Sequence, residues 1–142
     1  MAKRVLVALD RSPQAWAALE YALEEHADAD LTALHVVDPV EAGYEVDVGV
    51  PFSSEEWYER ACEDARDLFT EAQELADEYG VDLETTMEVG RPARAVVEFS
   101  EREDVDEVVV GSHGRTGVQR IVLGSVAETV VRRSSIPVTV VR

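Results

Sequence analysis

The chain has 142 residues, 46% of them apolar, which is the size and composition of one domain able to bury a sizeable core. Its 30 acidic and 13 basic residues give a net charge of −17, which argues against binding to nucleic acid or to an anionic membrane surface. The single cysteine, Cys62, excludes an internal disulfide and a cysteine-based zinc site, and no apolar run approaches the roughly 18 residues of a membrane span.

The first part of the chain alternates between strand and helix patterns. Residues 4–9 predict a strand buried on both faces, and Asp10 ends it. Ser12 followed by Pro13 is typical of a helix start, and residues 31–37 predict a second strand. The predicted inner face of the helix consists of Ala15, Ala18, Leu19, Ala22 and Leu23.

A long loop and a long helix are predicted next. Residues 39–52 show no clear period and are broken by glycine and proline, so they form either a cover over a ligand or a variable surface excursion. The capping box at residues 53–56 starts a helix that Gly80 ends. The predicted inner face of this helix consists of Trp57, Ala61, Ala65, Leu68, Ala72, Leu75 and Tyr79.

The remaining elements complete an alternating order. Residues 81–89 alternate in polarity, which indicates a strand near a sheet edge, and Pro92 begins a short helix with Ala93, Val96, Val97 and Phe99 inward. Strands at residues 105–110 and 136–141 enclose a helix with Val126, Thr129 and Val130 inward. The order predicts an α/β fold: one domain over residues 1–142 with an open parallel sheet and helices on both faces.

The stretch after the fourth predicted strand has the character of an anion site. Gly111 and Gly114 let the backbone turn tightly and approach a ligand closely. Ser125 and Glu128 form a capping box, so we expect a helix to start at Ser125 with its first N–H groups facing outward. A glycine loop before a helix N-terminus is typical of a phosphate site.

Asp10 ends the first strand as Gly111 ends the fourth, and ligands of open parallel sheets bind at such carboxyl ends. If the two strands are neighbours, a carboxylate beside phosphates needs a divalent cation or a ribose hydroxyl between them, which suits a nucleotide with Mg²⁺ or Mn²⁺. Asp10 could also cap the following helix, or do both. His35 is expected to be a hydrogen-bonded structural histidine, and the three histidines do not have the spacing of metal ligands.

The charge is unevenly distributed. Residues 111–142 contain five arginines and one acidic residue, Glu128, which supports an anionic ligand there. The acidic surplus elsewhere is typical of proteins from a high-salt cytoplasm, although it could also form an acidic surface for a partner. The composition, with no long apolar segment at the N-terminus, leads us to expect a cytoplasmic protein.

The spacing Gly111-x₂-Gly114-x₉-Gly124-Ser125 resembles the nucleotide-binding signature of the ATP-binding universal stress proteins. Further segments resemble that family in order along nearly the whole chain, from the opening strand to the closing Ile-Pro-Val-Thr-Val-Val. The resemblance implies an adenine nucleotide alpha-hydrolase-like fold with strand order 3-2-1-4-5. It also implies a homodimer in stress response that pairs through its last strand, residues 136–141, from Ile136 to Val141.

The resemblance further implies that ATP is bound, with Mg²⁺ or Mn²⁺ held mainly by the phosphates and with no protein metal ligand. No catalytic residue is implied, so we expect binding without dedicated catalytic machinery. A slow ATPase or nucleotide-transferring enzyme, or an interaction module whose dimer ATP stabilises, are the alternatives; the downstream partner is not implied. Arg115 could instead be an ordinary surface residue. The implied nucleotide-binding residues are Ala8, Leu9, Asp10, Val36, Val110, Gly111, Gly114, Arg115, Gly124, Ser125 and Val126.

Overall fold

The computed structural model describes residues 2–39, 54–112 and 123–142. Within these ranges the chain alternates between five strands and four helices. The strands are β1 (Arg4–Ala8), β2 (Asp30–Val37), β3 (Leu83–Val89), β4 (Glu107–Gly111) and β5 (Val138–Val141). The helices are α1 (Pro13–Glu25), α2 (Ser54–Glu78), α3 (Pro92–Arg102) and α4 (Ser125–Arg133). No helix in the described part of the chain is long and apolar enough to cross a membrane.

All five strands are parallel and lie in the order β3-β2-β1-β4-β5, as predicted. The pairing of β1 with β2 ends at Ala8, and its pairing with β4 ends at Val7. The strand pairs on each side of β1 continue further, since β2 pairs with β3 to Val37 and β4 pairs with β5 to Gly111. The central strand therefore stops short of its neighbours and leaves an opening at the carboxyl edge of the sheet.

Two helices cover each face of the sheet, as the right-handed connection of parallel strands requires. On one face, α1 and α2 pack against the odd-numbered side chains of β1, including Val5 and Val7. On the other face, α3 and α4 pack against Leu6 of β1 and Leu34 of β2. The central strands are buried on both faces, which explains the apolar runs at residues 5–9 and 108–110.

Helix α1 forms as predicted. The Ser12 hydroxyl accepts a hydrogen bond from the Ala15 amide at 3.2 Å, and Pro13 occupies the first turn, where it needs no N–H partner. The buried residues of the helix are Ala15, Ala18, Leu19, Ala22 and Leu23.

Helix α2 ends where Gly80 was expected to end it. Gly80 adopts a φ of +68°, and the amide of Val81 donates to the carbonyl of Ala76 at 3.0 Å. The prediction for Tyr79 was wrong, because Tyr79 lies beyond the last helical residue, is exposed, and donates its hydroxyl to Glu24. Ala76 is buried in its place. Residues 40–52 of the predicted loop and Ser53 of the predicted capping box lie outside the described residues.

Helix α4 begins at Ser125, but the predicted capping box was wrong. Gly124 is the N-cap, in an extended conformation with φ −64° and ψ 163°, and its carbonyl accepts from the Glu128 amide at 2.9 Å. Ser125 is therefore the first helical residue, and its carbonyl accepts from the Thr129 hydroxyl. The Glu128 carboxylate pairs with Arg132 instead of reaching back. The buried residues of α4 are Ala127 and Val130.

The two sheet edges differ in character. Strand β3 is an edge strand, as its alternation predicted, and exposes Glu84 while Glu88 pairs with Arg102. Strand β5 is the opposite edge, and all four of its residues are half-buried. The structure begins β3, β4 and β5 two residues later than the sequence pattern, at Leu83, Glu107 and Val138, because the preceding residues do not join the strand ladders.

Candidate functional site

A cleft of about 380 Å³ lies at the carboxyl edge of the sheet, where β1 stops short of its neighbours. This is the position at which the chain connections diverge to opposite sides, and ligands of open α/β sheets bind there. The volume is within the usual range for small-molecule sites. The cleft is lined by Ala8, Leu9, Asp10, Ala15, Leu34, His35, Val36, Pro92, Val96, Val110, Gly111, Ser125 and Val126.

The part of the cleft formed by β2 and α3 is apolar. Val36 at the end of β2 and Pro92 and Val96 on α3 supply aliphatic carbon surface, and Val96 is buried. Pro92 reaches the cleft because it stands in the first turn of α3, at the carboxyl edge of the sheet. Such a surface suits the flat, apolar faces of a heterocyclic base.

The part of the cleft beside β4 contains the start of α4. Ser125 and Val126 line it, and the N-cap Gly124 has no side chain with which to occupy the free N–H groups of the first turn. The helix dipole adds a positive field at the same point. This arrangement favours an anionic group.

Asp10 holds the turn before α1 and is also a lining residue of the cleft. Its Oδ1 accepts a hydrogen bond from the Ser12 amide at 2.7 Å, which fixes the turn before α1. The same side chain lines the cleft. Asp10 follows β1, the strand that lies between β2 and β4 in the sheet.

His35 is hydrogen-bonded, as expected. Its Nδ1 lies 2.9 Å from the carbonyl oxygen of Leu9, and its ring meets the ring of Phe69 edge to face with 6.4 Å between centroids. It also lines the cleft, which the interpretation of a purely structural histidine did not include.

Gly111 lines the cleft, but its closest neighbour is helix α1. A Cβ on Gly111 would lie 2.5 Å from the Gln14 carbonyl oxygen and 2.8 Å from the Ala15 nitrogen. The close approach that the sequence assigned to a ligand is made to the first turn of α1, so a glycine is needed here for helix packing.

Most of the predicted site residues that the structure describes lie together in the cleft. Gly124 adjoins the cleft as the N-cap of α4, while Gly114 and Arg115 lie outside the described residues. Arg132 and Arg133 occupy the last turn of α4, at the end away from Ser125, and Arg120 lies outside the described residues, so the anionic ligand inferred from the charge asymmetry stays a prediction. The predicted residues that line the cleft are Ala8, Leu9, Asp10, Val36, Val110, Gly111, Ser125 and Val126.

Five lining residues were missed by the sequence reasoning: Ala15, Leu34, His35, Pro92 and Val96. Ala15 and Val96 were assigned to inner helix faces, and Leu34 to the second strand. A residue at the carboxyl end of a parallel strand or at a helix start can pack in the core and also line a ligand cleft. The signal for Pro92 was its place at a helix start after a strand.

A second depression, of about 370 Å³, lies at the amino edge of the sheet. Its charged residues, such as Arg4, Asp30 and Glu84, are exposed to solvent, and Arg4 donates to the Glu103 carbonyl. The apolar residues that line this depression are Val5, Phe99 and Val105. It lies at the amino ends of the strands, whereas ligands of open parallel sheets bind at the carboxyl ends. No group of three or more histidine, cysteine, aspartate or glutamate side chains suited to a metal occurs among the described residues.

A buried carboxylate also lies at the amino edge. Glu107 is 8% exposed, and it accepts hydrogen bonds from Lys3 at 2.7 Å and from the Thr139 hydroxyl at 3.0 Å. His26 Nε2 lies 3.2 Å from the same carboxylate without the alignment of a hydrogen bond. Burial alone raises the pKa of Glu107, but the hydrogen bonds from Lys3 and Thr139 and the charges nearby outweigh it, so the net pKa is lowered.

A model of the universal stress protein family matches residues 1–142. A universal stress protein of Methanocaldococcus jannaschii is 35% identical over 144 residues, which covers 99% of this chain and 82% of the relative.

The fold is similar to solved structures of the same family. A second universal stress protein of that archaeon is 30% identical and superposes with a TM-score of 0.79, covering 99% of this chain and 96% of the other. A universal stress protein solved in complex with cAMP is 26% identical, with a TM-score of 0.70, covering 99% and 97%. The similarity in sequence and in fold therefore extends along nearly the whole chain.

Proposed function

The chain belongs to the universal stress protein family, and on this premise we propose that its cleft binds an adenine nucleotide, ATP in particular. Its sheet order is that of the adenine nucleotide alpha-hydrolase-like fold of the family. The relative that was solved with cAMP supports an adenine nucleotide as the ligand class. The role that follows for the protein is regulation in a stress response.

The observation that carries the proposal is the pairing of two unlike surfaces across one cleft. Val36, Pro92 and Val96 offer apolar surface to a base, and the backbone of Val36 would hydrogen-bond its edge. Ser125 and Val126, at the start of α4, offer N–H groups and a hydroxyl to phosphates. A nucleotide has these two characters at its two ends.

Asp10 explains why a divalent cation would accompany the nucleotide. Asp10 lines the cleft at the end of the central strand β1, and its carboxylate would repel bare phosphates bound beside it. A Mg²⁺ or Mn²⁺ ion held mainly by the phosphates would reduce that repulsion, and the ribose hydroxyls could donate to the same carboxylate.

We propose binding without dedicated turnover. The titratable side chains that line the described cleft, Asp10 and His35, already hold backbone groups of the loop between β1 and α1. Both are therefore placed to shape the site. Binding can act as a signal without chemistry, since a hundredfold excess of ligand over Kd stabilises a fold by about 2.7 kcal/mol. A cytoplasmic location and a high-salt host stay predictions from composition.

Replacing Gly124 with valine should weaken binding of ATP with Mg²⁺ by tenfold or more in isothermal titration calorimetry. The extended backbone at Gly124 accepts valine without strain, so the fold should persist while the isopropyl group blocks the first turn of α4. Loss of one or two charge-assisted hydrogen bonds corresponds to about tenfold to a hundredfold in affinity. ATP recovered from the titration should be unhydrolysed.

The matched control is Ser135→Val, which places the same side chain on an exposed residue beyond the other end of α4. This variant should bind ATP as the wild type does. Equal affinity of the Gly124 variant and the wild type would mean that the start of α4 is not part of the ATP site. Stoichiometric release of phosphate would show that the protein is a slow ATPase instead.

We further propose that two copies pair through β5. This edge strand has apolar residues that are only half-buried, and Val138 and Val140 pack on the α3–α4 side of the sheet. Pairing of two such edges around a two-fold axis would complete both the backbone hydrogen bonds and the burial.

Replacing Val140 with aspartate should shift the sedimentation coefficient from that of a dimer to that of a monomer, because a carboxylate in the seam would be buried beside its own copy. Val89→Asp is the control, since Val89 is 44% exposed on the opposite edge strand β3. A Val140→Asp protein that stays dimeric, or a Val89→Asp protein that dissociates, would move the interface away from β5.

A further inference from the structure

Leu9, the residue that follows β1, is held by two contacts from β2, one at its amide and one at its carbonyl. The Leu9 amide donates to the Leu34 carbonyl at 2.8 Å. The Leu9 carbonyl, at the other side, lies 2.9 Å from Nδ1 of His35. The backbone pairing of β1 with β2 ends at Ala8, so the second of these bonds is made by a side chain where the ladder stops.

The chemistry of this bond has one direction. A carbonyl oxygen only accepts, so Nδ1 of His35 carries the hydrogen and donates it to Leu9. The ring itself is half-buried and meets Phe69 of α2 edge to face, at an interplanar angle of 85°. The contact with Phe69 therefore holds the donor in a fixed direction.

The bond determines how the next residue is presented. The carbonyl of Leu9 belongs to the same planar peptide as the nitrogen of Asp10, so rotation of that peptide would swing Asp10 as well. The Asp10 carboxylate in turn accepts from the Ser12 amide at 2.7 Å and lines the cleft. A chain of contacts thus runs from β2 through His35 and Leu9 to the carboxylate.

We propose that His35 is a positioning residue for the nucleotide: by fixing the Leu9 carbonyl, it aims the Asp10 carboxylate at the ribose and phosphates. The proposal rests on the proposed function, because it deepens the role of the same cleft. It differs from a role in stability alone, since the ring contact with Phe69 and the donor at Nδ1 are separable contributions of one side chain.

Two substitutions separate these contributions. His35→Asn keeps an N–H donor at the same number of bonds from Cβ as Nδ1, whereas His35→Leu has a similar size and no donor. Both lose the ring and its contact with Phe69, so both should lower the melting temperature by similar amounts. If His35 had a structural role alone, the two variants would therefore lose ATP affinity equally.

Positioning predicts a difference between them. Titration with ATP and Mg²⁺ should give His35→Asn an affinity close to that of the wild type, and His35→Leu an affinity about tenfold weaker. In the free protein, hydrogen exchange of the Ser12 amide should be slow in the wild type and in His35→Asn, and faster in His35→Leu, because this amide reports the Asp10 carboxylate directly.

The two measurements distinguish failure of the positioning role from failure of the proposed function. Equal Ser12 exchange in the two variants would overturn the positioning role whether or not ATP binds, and so would equal ATP affinities. A wild type that binds no ATP would overturn the proposed function, while faster Ser12 exchange in His35→Leu alone would still establish that His35 fixes Asp10.

Discussion

Replacing Gly111 with alanine should lower the free energy of unfolding by about 3 kcal/mol, near the upper end of the usual range for overpacking. The new Cβ would lie 2.5 Å from the Gln14 carbonyl oxygen and 2.8 Å from the Ala15 nitrogen, which are backbone atoms that no rotamer can move. Helix α1 would have to shift from the sheet, and with it Ala15 in the cleft. Urea denaturation followed by far-UV circular dichroism measures the loss.

The control is Gly80→Ala, at the end of α2. Gly80 has a φ of +68° but nothing within 4 Å of a Cβ placed on it, so alanine there meets only backbone strain, about 1 kcal/mol. The Gly111 variant should therefore be clearly the less stable of the two. The reverse order would mean that α1 yields easily, and that the close packing of β4 on its first turn is not a constraint.

Replacing Glu107 with alanine should also destabilise the fold, by about 2 kcal/mol, the size expected when hydrogen bonds to a charged group are lost. The carboxylate joins β4 to Thr139 of β5 and to Lys3 ahead of β1. His26, at the end of α1, would lose the acidic group 3.2 Å from its Nε2. Thermal unfolding near neutral pH measures the loss.

The pH dependence of that stabilisation follows from the lowered pKa of Glu107. A carboxyl group whose pKa is lower in the folded state contributes stability above its ordinary pKa, and this contribution is lost as the pH falls through the folded value. The difference in melting temperature between wild type and Glu107→Gln should be constant above about pH 5 and shrink below about pH 4. Glu84→Gln, on an exposed glutamate of β3, should show no such change.

Local patterns were sufficient to predict the order and type of the elements. The capping of α1 by Ser12 and the end of α2 at Gly80 depend on residues within one turn of the helix, and both were confirmed. The strand order was implied by family resemblance and is present in the sheet. The edge position of β3 followed from its alternating polarity.

The errors occurred where two local patterns compete. Tyr79 continues the apolar period of α2, but the turn at Gly80 ends the helix before it. Ser125 with Glu128 has the spacing of a capping box, but Gly124 takes the cap because its extended backbone already closes the first turn. Periodicity and motif spacing do not determine which of two adjacent residues leaves the helix.

The features that depend on distant residues were not predicted. Lys3 and Glu107 are 104 positions apart, and no pattern in either neighbourhood indicates their contact. The same holds for the bond from His35 to Leu9, which requires the register of β1 with β2. Gly111 was identified as a close-approach position, but only the packing of α1 shows what approaches it.

The unlike edges of the sheet determine how far copies of the chain can associate. A pair joined at β5 would have β3 as the outermost strand at both of its ends. Exposed Glu84 stands on that strand and exposed Asp82 directly precedes it, so a further pair would bring carboxylates against carboxylates. Growth by strand addition would therefore be disfavoured after the first pairing, and a closed pair would be favoured over a fibre.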